Sequence, residues 1–188
     1  MTSAIFGHGM PLTEAEFLAL GEWPARVELF GGSLLVTPGQ TPRHQHIYGQ
    51  LEVALRPGAA QAGLFVHGAV NVRLQQGYIP IPDLVITSMI DFREPVIDAD
   101  VVRLVCEIVS PANASADKVL KMHHYAVAGI PWYLLVEQET GALNLYRLVG
   151  SHYVEQSMTH PGTLLRLKEP VEATIAPEDL LPPGQVDS

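Results

Sequence analysis

The sequence predicts an α/β (α+β) fold, a mixed sheet flanked by helices in a single domain. Three observations carry that expectation. Short apolar strand signals alternate with segments of helical period along most of the chain. Residues 101–109 are almost continuously apolar, as a strand buried on both faces must be. A helical segment and a second apolar run, Pro131–Val136, follow that strand at once. If the two strands are parallel, the unit is a right-handed crossover.

In chain order, residues 1–11 show little periodicity and read as a loose segment, residues 12–176 as the domain and residues 177–188 as a surface tail. Thr13-Glu14-Ala15-Glu16 matches a capping box, so a short helix should run to about Glu22 and bury Phe17, Leu18 and Leu20. Arg26–Phe30 and Ser33–Val36 flank Gly31-Gly32 as a hairpin, with Pro38 ending its second strand. Ile47, Leu51, Ala54 and Leu55 recur at helical spacing until Pro57-Gly58, where the helix is expected to stop. Leu64–Val66 and Ala69–Leu74 read as strands. Tyr78–Thr87 reads as another, distorted early by Pro80 and Pro82. A polar connection precedes the Val101–Val109 strand, which Ser110-Pro111-Ala112-Asn113 breaks. The next helix, about Ser115 to Ala128, should bury Val119, Met122 and Ala126, with Asp117, Lys121, His124 and Tyr125 on another face. Strands Pro131–Val136 and Ala142–Leu148 flank Thr140-Gly141, and weaker strand signals follow at 153–158 and 163–167.

Composition narrows the function. At 188 residues, 47% hydrophobic and 16% charged, the chain can bury a full core. Its one cysteine, Cys106, excludes an internal disulfide and fits a reducing cytoplasm; inside an apolar strand it reads as a core residue. The start of the sequence shows no signal-peptide pattern and no window approaches a membrane helix, so a soluble cytoplasmic protein is expected. The net charge of −9 and eleven scattered Lys and Arg residues leave no basic face for gripping nucleic acid. Any DNA contact should rest on Lys118, Lys121, Arg43 and metal ions.

Chemistry concentrates in one stretch. Asp83 and Glu107 sit in or beside apolar strands, where a lone carboxylate is costly. One reading gives them a common divalent metal, completed by a backbone carbonyl, with Lys121 stabilising the oxyanion of a phosphoryl transition state. The other pairs them with arginines such as Arg93 or Arg103. Glu28, beside a Gly-Gly turn, reads as a solvent-facing hairpin residue. His44 and His46 open a helix, where i and i+2 diverge, so they do not form a zinc site. No phosphate-binding glycine loop, nucleophile elbow or paired C-x-x-C motif is present.

The order Glu28, Gly31-Gly32, Pro38, His44, Pro82-Asp83-Leu84-Val85, Glu107-Ile108-Val109-Ser110-Pro111, Asp117, Lys121, Tyr125, Gly129-Ile130-Pro131 resembles the Uma-type restriction endonucleases. That bacterial family, catalogued as a domain of unknown function, belongs to the PD-(D/E)XK nuclease superfamily. The resemblance spans roughly residues 12–180. It implies a restriction-endonuclease-like mixed sheet flanked by helices and cleavage of DNA with Mg²⁺ or Mn²⁺. It further implies that Asp83, Glu107 and the Ile108 backbone carbonyl are metal ligands, Lys121 the catalytic lysine and Glu28 an additional acid. His44, Ser110, Asp117, His124 and Tyr125 would line the site. The superfamily usually carries its lysine two residues after the second acid, where this chain has Val109; the family is similar in moving it to the following helix. Gly31-Gly32 replaces a usual Asp-Gly turn, and Glu137 a usual Asp. Apolar strands near the C-terminal half point to a homodimer or higher homo-oligomer. The alternative is a catalytically inactive nuclease-fold module used for self-association or protein binding.

Overall fold

Ser3–Ile5 (β1), expected to be loose, pairs antiparallel with Ser33–Thr37 (β3). Pairing to a distant strand is invisible to periodicity over three residues. The computed structural model describes residues 3–5, 11–21, 26–37, 39–110 and 116–184, so Glu22, Pro38 and Pro111 to Ser115 lie outside the described residues. Thr13 caps Glu14–Ala19 (α1) with both hydrogen bonds of the capping box. The helix buries Phe17, whereas Leu18 is half-buried and Leu20 exposed. Arg26–Phe30 (β2) and β3 form the expected hairpin, and Gly31 and Gly32 take the φ values of +57° and +84° that its two-residue turn requires.

Pro42–Gln61 (α2) runs through Pro57 rather than stopping there. Its last turns bury Leu55, Gly58 and Ala59 and pack on Ala173–Ile175 (β14), which outweighs the lost backbone hydrogen bond. The approach is close: a Cβ on Gly58 would lie 2.1 Å from the Glu172 carbonyl oxygen. Gly58→Ala is therefore expected to lower stability by about 1–3 kcal/mol despite the better helix propensity of alanine. Urea unfolding checks this, and an unchanged or raised midpoint would contradict the packing.

Phe65–Gly68 (β4) and Val72–Arg73 (β5) precede the segment expected as one strand, Tyr78–Thr87. Pro80-Ile81-Pro82 splits it into Tyr78–Ile79 (β6), which joins β2, and Leu84–Thr87 (β7). Ile97–Asp98 (β8) pairs with β5 and leads into Val102–Val109 (β9). Ala116–Val127 (α3) is followed by Trp132–Glu137 (β10), which lies parallel to β9. Leu143–Val149 (β11), His152–Thr159 (β12), Leu165–Leu167 (β13) and β14 complete the strands.

Among the described residues, the main sheet has the order β12-β11-β10-β9-β7-β4, antiparallel except at β9–β10; a second sheet has the order β1-β3-β2-β6. Alternation along β9 sends Leu104, Cys106 and Ile108 into a core with α2 and the β13–β14 hairpin. Val105 and Val109 turn the other way, into a core with Tyr125, Ile130 and Tyr133. Cys106 is fully buried, and burial holds its thiol pKa well above the ordinary value. A third cluster joins Phe17, Val27, Leu29 and Ile79.

Two further expectations need correction. Residues 177–181 are not a surface tail: Pro177–Leu180 form a 3-10 turn whose Leu180 enters the main core. The prolines around them read as a solvated end, but Leu180 packs into the core on the α2 side of the sheet and Leu181 is buried beside it. On α3, Val119 is exposed; the side facing the sheet carries Lys121, Tyr125 and Ala126. No described helix is long and apolar enough to cross a membrane.

Candidate active site

Strand alternation assembles the site. Along β2, Val27 and Leu29 enter a core, so Arg26, Glu28 and Phe30 share the opposite face. Glu28 is thus buried rather than solvent-facing as expected from its hairpin. On the main sheet Leu84 pairs with Cys106, and extending that antiparallel register by one residue sets Asp83 opposite Glu107, on the α3 side. Lys121 reaches both remaining acids from α3: its ammonium lies 2.9 Å from Glu28 Oε1 and 3.5 Å from Glu107 Oε1. It stands on the side of the sheet where a lysine at 109 would have been, and Val109 packs among apolar neighbours instead.

Asp83 is saturated. Arg26 donates to Oδ1 at 2.5 Å and Gln40 at 3.2 Å; the Ile108 amide donates to Oδ2 at 2.8 Å, with His44 Nε2 at 3.2 Å from the same oxygen. These four donors match the roughly four lone-pair positions of a carboxylate. Asp83 therefore does pair with an arginine, but not one of those expected: Arg93 folds onto Asp91 and Arg103 onto the Asp100 carbonyl. Tyr125, fully buried, donates its hydroxyl to Glu107 Oε1 at 2.6 Å. Glu28 Oε1 also accepts from the Ile81 amide at 2.7 Å. Neither Glu28 Oε2 nor Glu107 Oε2 accepts a hydrogen bond among the described residues.

Of the other expected lining residues, His124 packs edge-on against Phe30 and at a tilt against Tyr78 rather than reaching the acids. Ser110 follows β9, half-buried, and makes no hydrogen bond to the cluster among the described residues. Asp117 belongs to α3, but its side chain, like that of Lys118, lies outside the described residues. Sequence reading missed Arg26 and Gln40. The signal for Arg26 was its place two residues before Glu28, on one face of a strand.

Three carboxyls thus meet two cations, Arg26 and Lys121, away from water. Burial would raise the Asp83 carboxyl, but the His44 hydrogen bond and the Arg26 charge outweigh it and hold that pKa low. Burial works against the Lys121 ammonium too, yet Glu107 and Glu28 keep it firmly protonated. Glu107 bears the imbalance: burial, aided by Asp83, pushes it up to about 7 against the pull of Lys121. Its native form keeps a proton that the unfolded chain gives up near 4.5, so stability falls as pH rises from there toward 7. Glu107→Gln is expected to melt higher than the wild type at pH 8 and alike at pH 4. A lower melting temperature at pH 8 would show that the Glu107 charge supports the fold.

The donor set fits a hard divalent cation in type. It offers carboxylates and the Ile108 carbonyl, which leaves the strand on the same side as the Ile108 amide and so faces Asp83. Open oxygens on Glu28 and Glu107 and the surplus of negative charge match the same need. Among the described residues, no three His, Cys, Asp or Glu side chains form a metal-holding group by themselves, so backbone and water would complete the coordination.

Comparison with known proteins agrees with this architecture. A putative nuclease of the DUF820 group from Anabaena variabilis superposes with a TM-score of 0.71 over 90% of this chain and 97% of that one, at 17% identity. That likeness concerns the fold. No protein of curated function matches the chain. The family described as "Uma2: Putative restriction endonuclease" matches residues 15–178. With nearly the whole domain matched, the chain belongs to the Uma2 family.

Proposed function

We propose that the protein is a Mg²⁺- or Mn²⁺-dependent endodeoxyribonuclease that hydrolyses phosphodiester bonds at the cluster on β2, β7, β9 and α3. The observation that carries this reading is the convergence of Glu28 on β2, Asp83 just before β7, Glu107 on β9 and Lys121 on α3, with one oxygen of Glu28 and one of Glu107 left open. Glu107, the Ile108 carbonyl and Asp83, on giving up one of its four present donors such as the 3.2 Å one from Gln40, would hold the ion, which supplies Lewis acidity and a more acidic water when bound. The protein's own part is to position and to balance charge. Lys121 offers a fixed ammonium to the charge that grows on the phosphoryl oxygens, without reorganisation at the moment of reaction. Tyr125 fixes the Glu107 carboxyl, and Oε2 of Glu28 is an acceptor for the proton that the attacking water gives up. Water adds to phosphorus, the P–O ester bond breaks, and a phosphomonoester and a hydroxyl remain. A DNA substrate and a reducing cytoplasm belong to this proposal. So does a homo-oligomer, whose contact would draw on the exposed apolar residues Val119, Leu120, Val127, Val154 and Met158.

One observation favours the second reading, an inactive module: the Asp83 network is complete without an ion. Incubation of supercoiled plasmid with excess protein separates the two. Nicking in Mn²⁺ that EDTA stops is expected of a nuclease; no nicking in either Mg²⁺ or Mn²⁺ would leave the inactive module.

A further inference from the structure

The face of β2 that carries Arg26 and Glu28 ends in Phe30, at about 3.4 Å per residue some 7 Å beyond Glu28. On α3, His124 follows Lys121 by three residues and lies about one turn further along the same side. The two extensions meet. The Phe30 and His124 ring centroids are 5.9 Å apart, and Tyr78, the register partner of Phe30, lies 6.2 Å from Phe30 and 4.7 Å from His124. A Cβ on Gly31 would stand 3.1 Å from the Tyr78 hydroxyl, so a glycine lets that ring lie over the turn. All three rings are only half-buried, unlike Tyr125 and Tyr133 in the core behind them. The charged cluster therefore passes directly into a partly open aromatic surface. Burial and the neighbouring His123 lower the His124 pKa, so its ring is neutral near pH 7 and stacks without desolvating a charge.

This surface answers the charge problem. The chain carries a net charge of −9, and among the described residues Arg26, Arg43 and Lys121 are committed. Arg26 and Lys121 hold the acids, and Arg43 donates to the Gln138 and Glu139 carbonyls. Phosphate contacts alone then give weak binding. Stacking on aromatic rings needs no net charge and tolerates any sequence, but a base must leave its duplex stack to use it.

We propose that Phe30, Tyr78 and His124 form a stacking platform for an unpaired nucleobase beside the scissile phosphate, which makes single-stranded or locally melted nucleic acid the substrate. This rests on the nuclease reading and narrows it. The test is fluorescence-anisotropy binding of an oligothymidylate of about a dozen nucleotides and of an abasic strand with the same number of phosphates, in Ca²⁺ and in EDTA. The wild type should hold the oligothymidylate about tenfold more tightly or better, the usual yield of base–aromatic stacking. Phe30→Leu and His124→Leu, each confirmed folded by thermal melting, should lose that preference while binding the abasic strand as before; Tyr78→Phe should keep it. Equal affinity of the wild type for both strands would overturn the platform, as would full preference in a folded Phe30→Leu protein. Plasmid nicking without base-dependent binding would remove the platform and leave the nuclease. Neither strand bound and no plasmid nicked would remove both.

Discussion

Lys121→Met is expected to slow cleavage by about 10²–10³-fold, the usual cost of removing one fixed electrostatic group, and to destabilise the fold by about 3–5 kcal/mol at pH 8. The two effects have one origin. Lys121 lies between Glu28 and Glu107, 2.9 and 3.5 Å from their Oε1 atoms, with its side chain 11% exposed. Removing the ammonium leaves two buried carboxyls facing each other and Asp83, and their ionised forms become costly. The Glu107 carboxyl then holds its proton to higher pH still, so the loss of stability should be full at pH 8 and shrink toward pH 4. Urea unfolding at the two pH values reads the stability, and plasmid nicking at matched folded concentration reads the rate. Val109→Lys added to this variant should recover part of both, because residue 109 shares the Glu107 side of β9. A Lys121→Met protein that nicks like the wild type would remove the lysine from the mechanism.

Asp83→Asn should be comparably severe for stability, at about 3–5 kcal/mol near neutral pH, because it leaves the Arg26 guanidinium buried without its partner. An amide also brings a donor to a position that four donors surround. The pH dependence has the opposite sign to that of Glu107. The Asp83 pKa is depressed in the native state, so its stabilisation is present above the ordinary value of 3.8 and is lost as pH falls below it. The gap between wild type and Asp83→Asn should therefore be wide at pH 7 and narrow progressively below pH 4. A gap that does not change with pH would mean that the Asp83 charge contributes nothing.

Much of this was legible in the chain because local and global signals agree there. The apolar run of β9, interrupted only by Arg103 and Glu107, reads as a strand covered on both faces, and the helix α3 and the apolar run of β10 that follow it complete the crossover, with β10 parallel to β9. The Thr13 capping box and the Gly31-Gly32 turn are set by a few adjacent residues, and both form as read. What escaped depends on contacts across the sequence. Glu28 looked solvent-facing because a hairpin does not say which face meets a third element; α3 decided that. Arg26 is 57 residues from Asp83, and its one local signal, a place two residues before Glu28 on a strand, leads to Asp83 only once that strand face is known to be buried. On α3, Ala126 is buried and Met122 packs on the core as the spacing predicts, but Val119, the natural core residue, is exposed, because the buried charge of Lys121 is tolerable only where Glu28 and Glu107 wait for it. Pro57 reads as a stop because its cost is local and the compensating contact, at Glu172, is over a hundred residues away.

The central claim is that this cluster is a working cation site rather than a closed ion-pair network, and calorimetric titration of Mn²⁺ into the metal-free protein tests it most directly. Wild type should bind one ion per chain, and Glu107→Gln, which keeps the fold and removes one proposed ligand charge, should bind at least about tenfold more weakly. Absence of binding to the wild type, or equal binding by Glu107→Gln, would contradict the account.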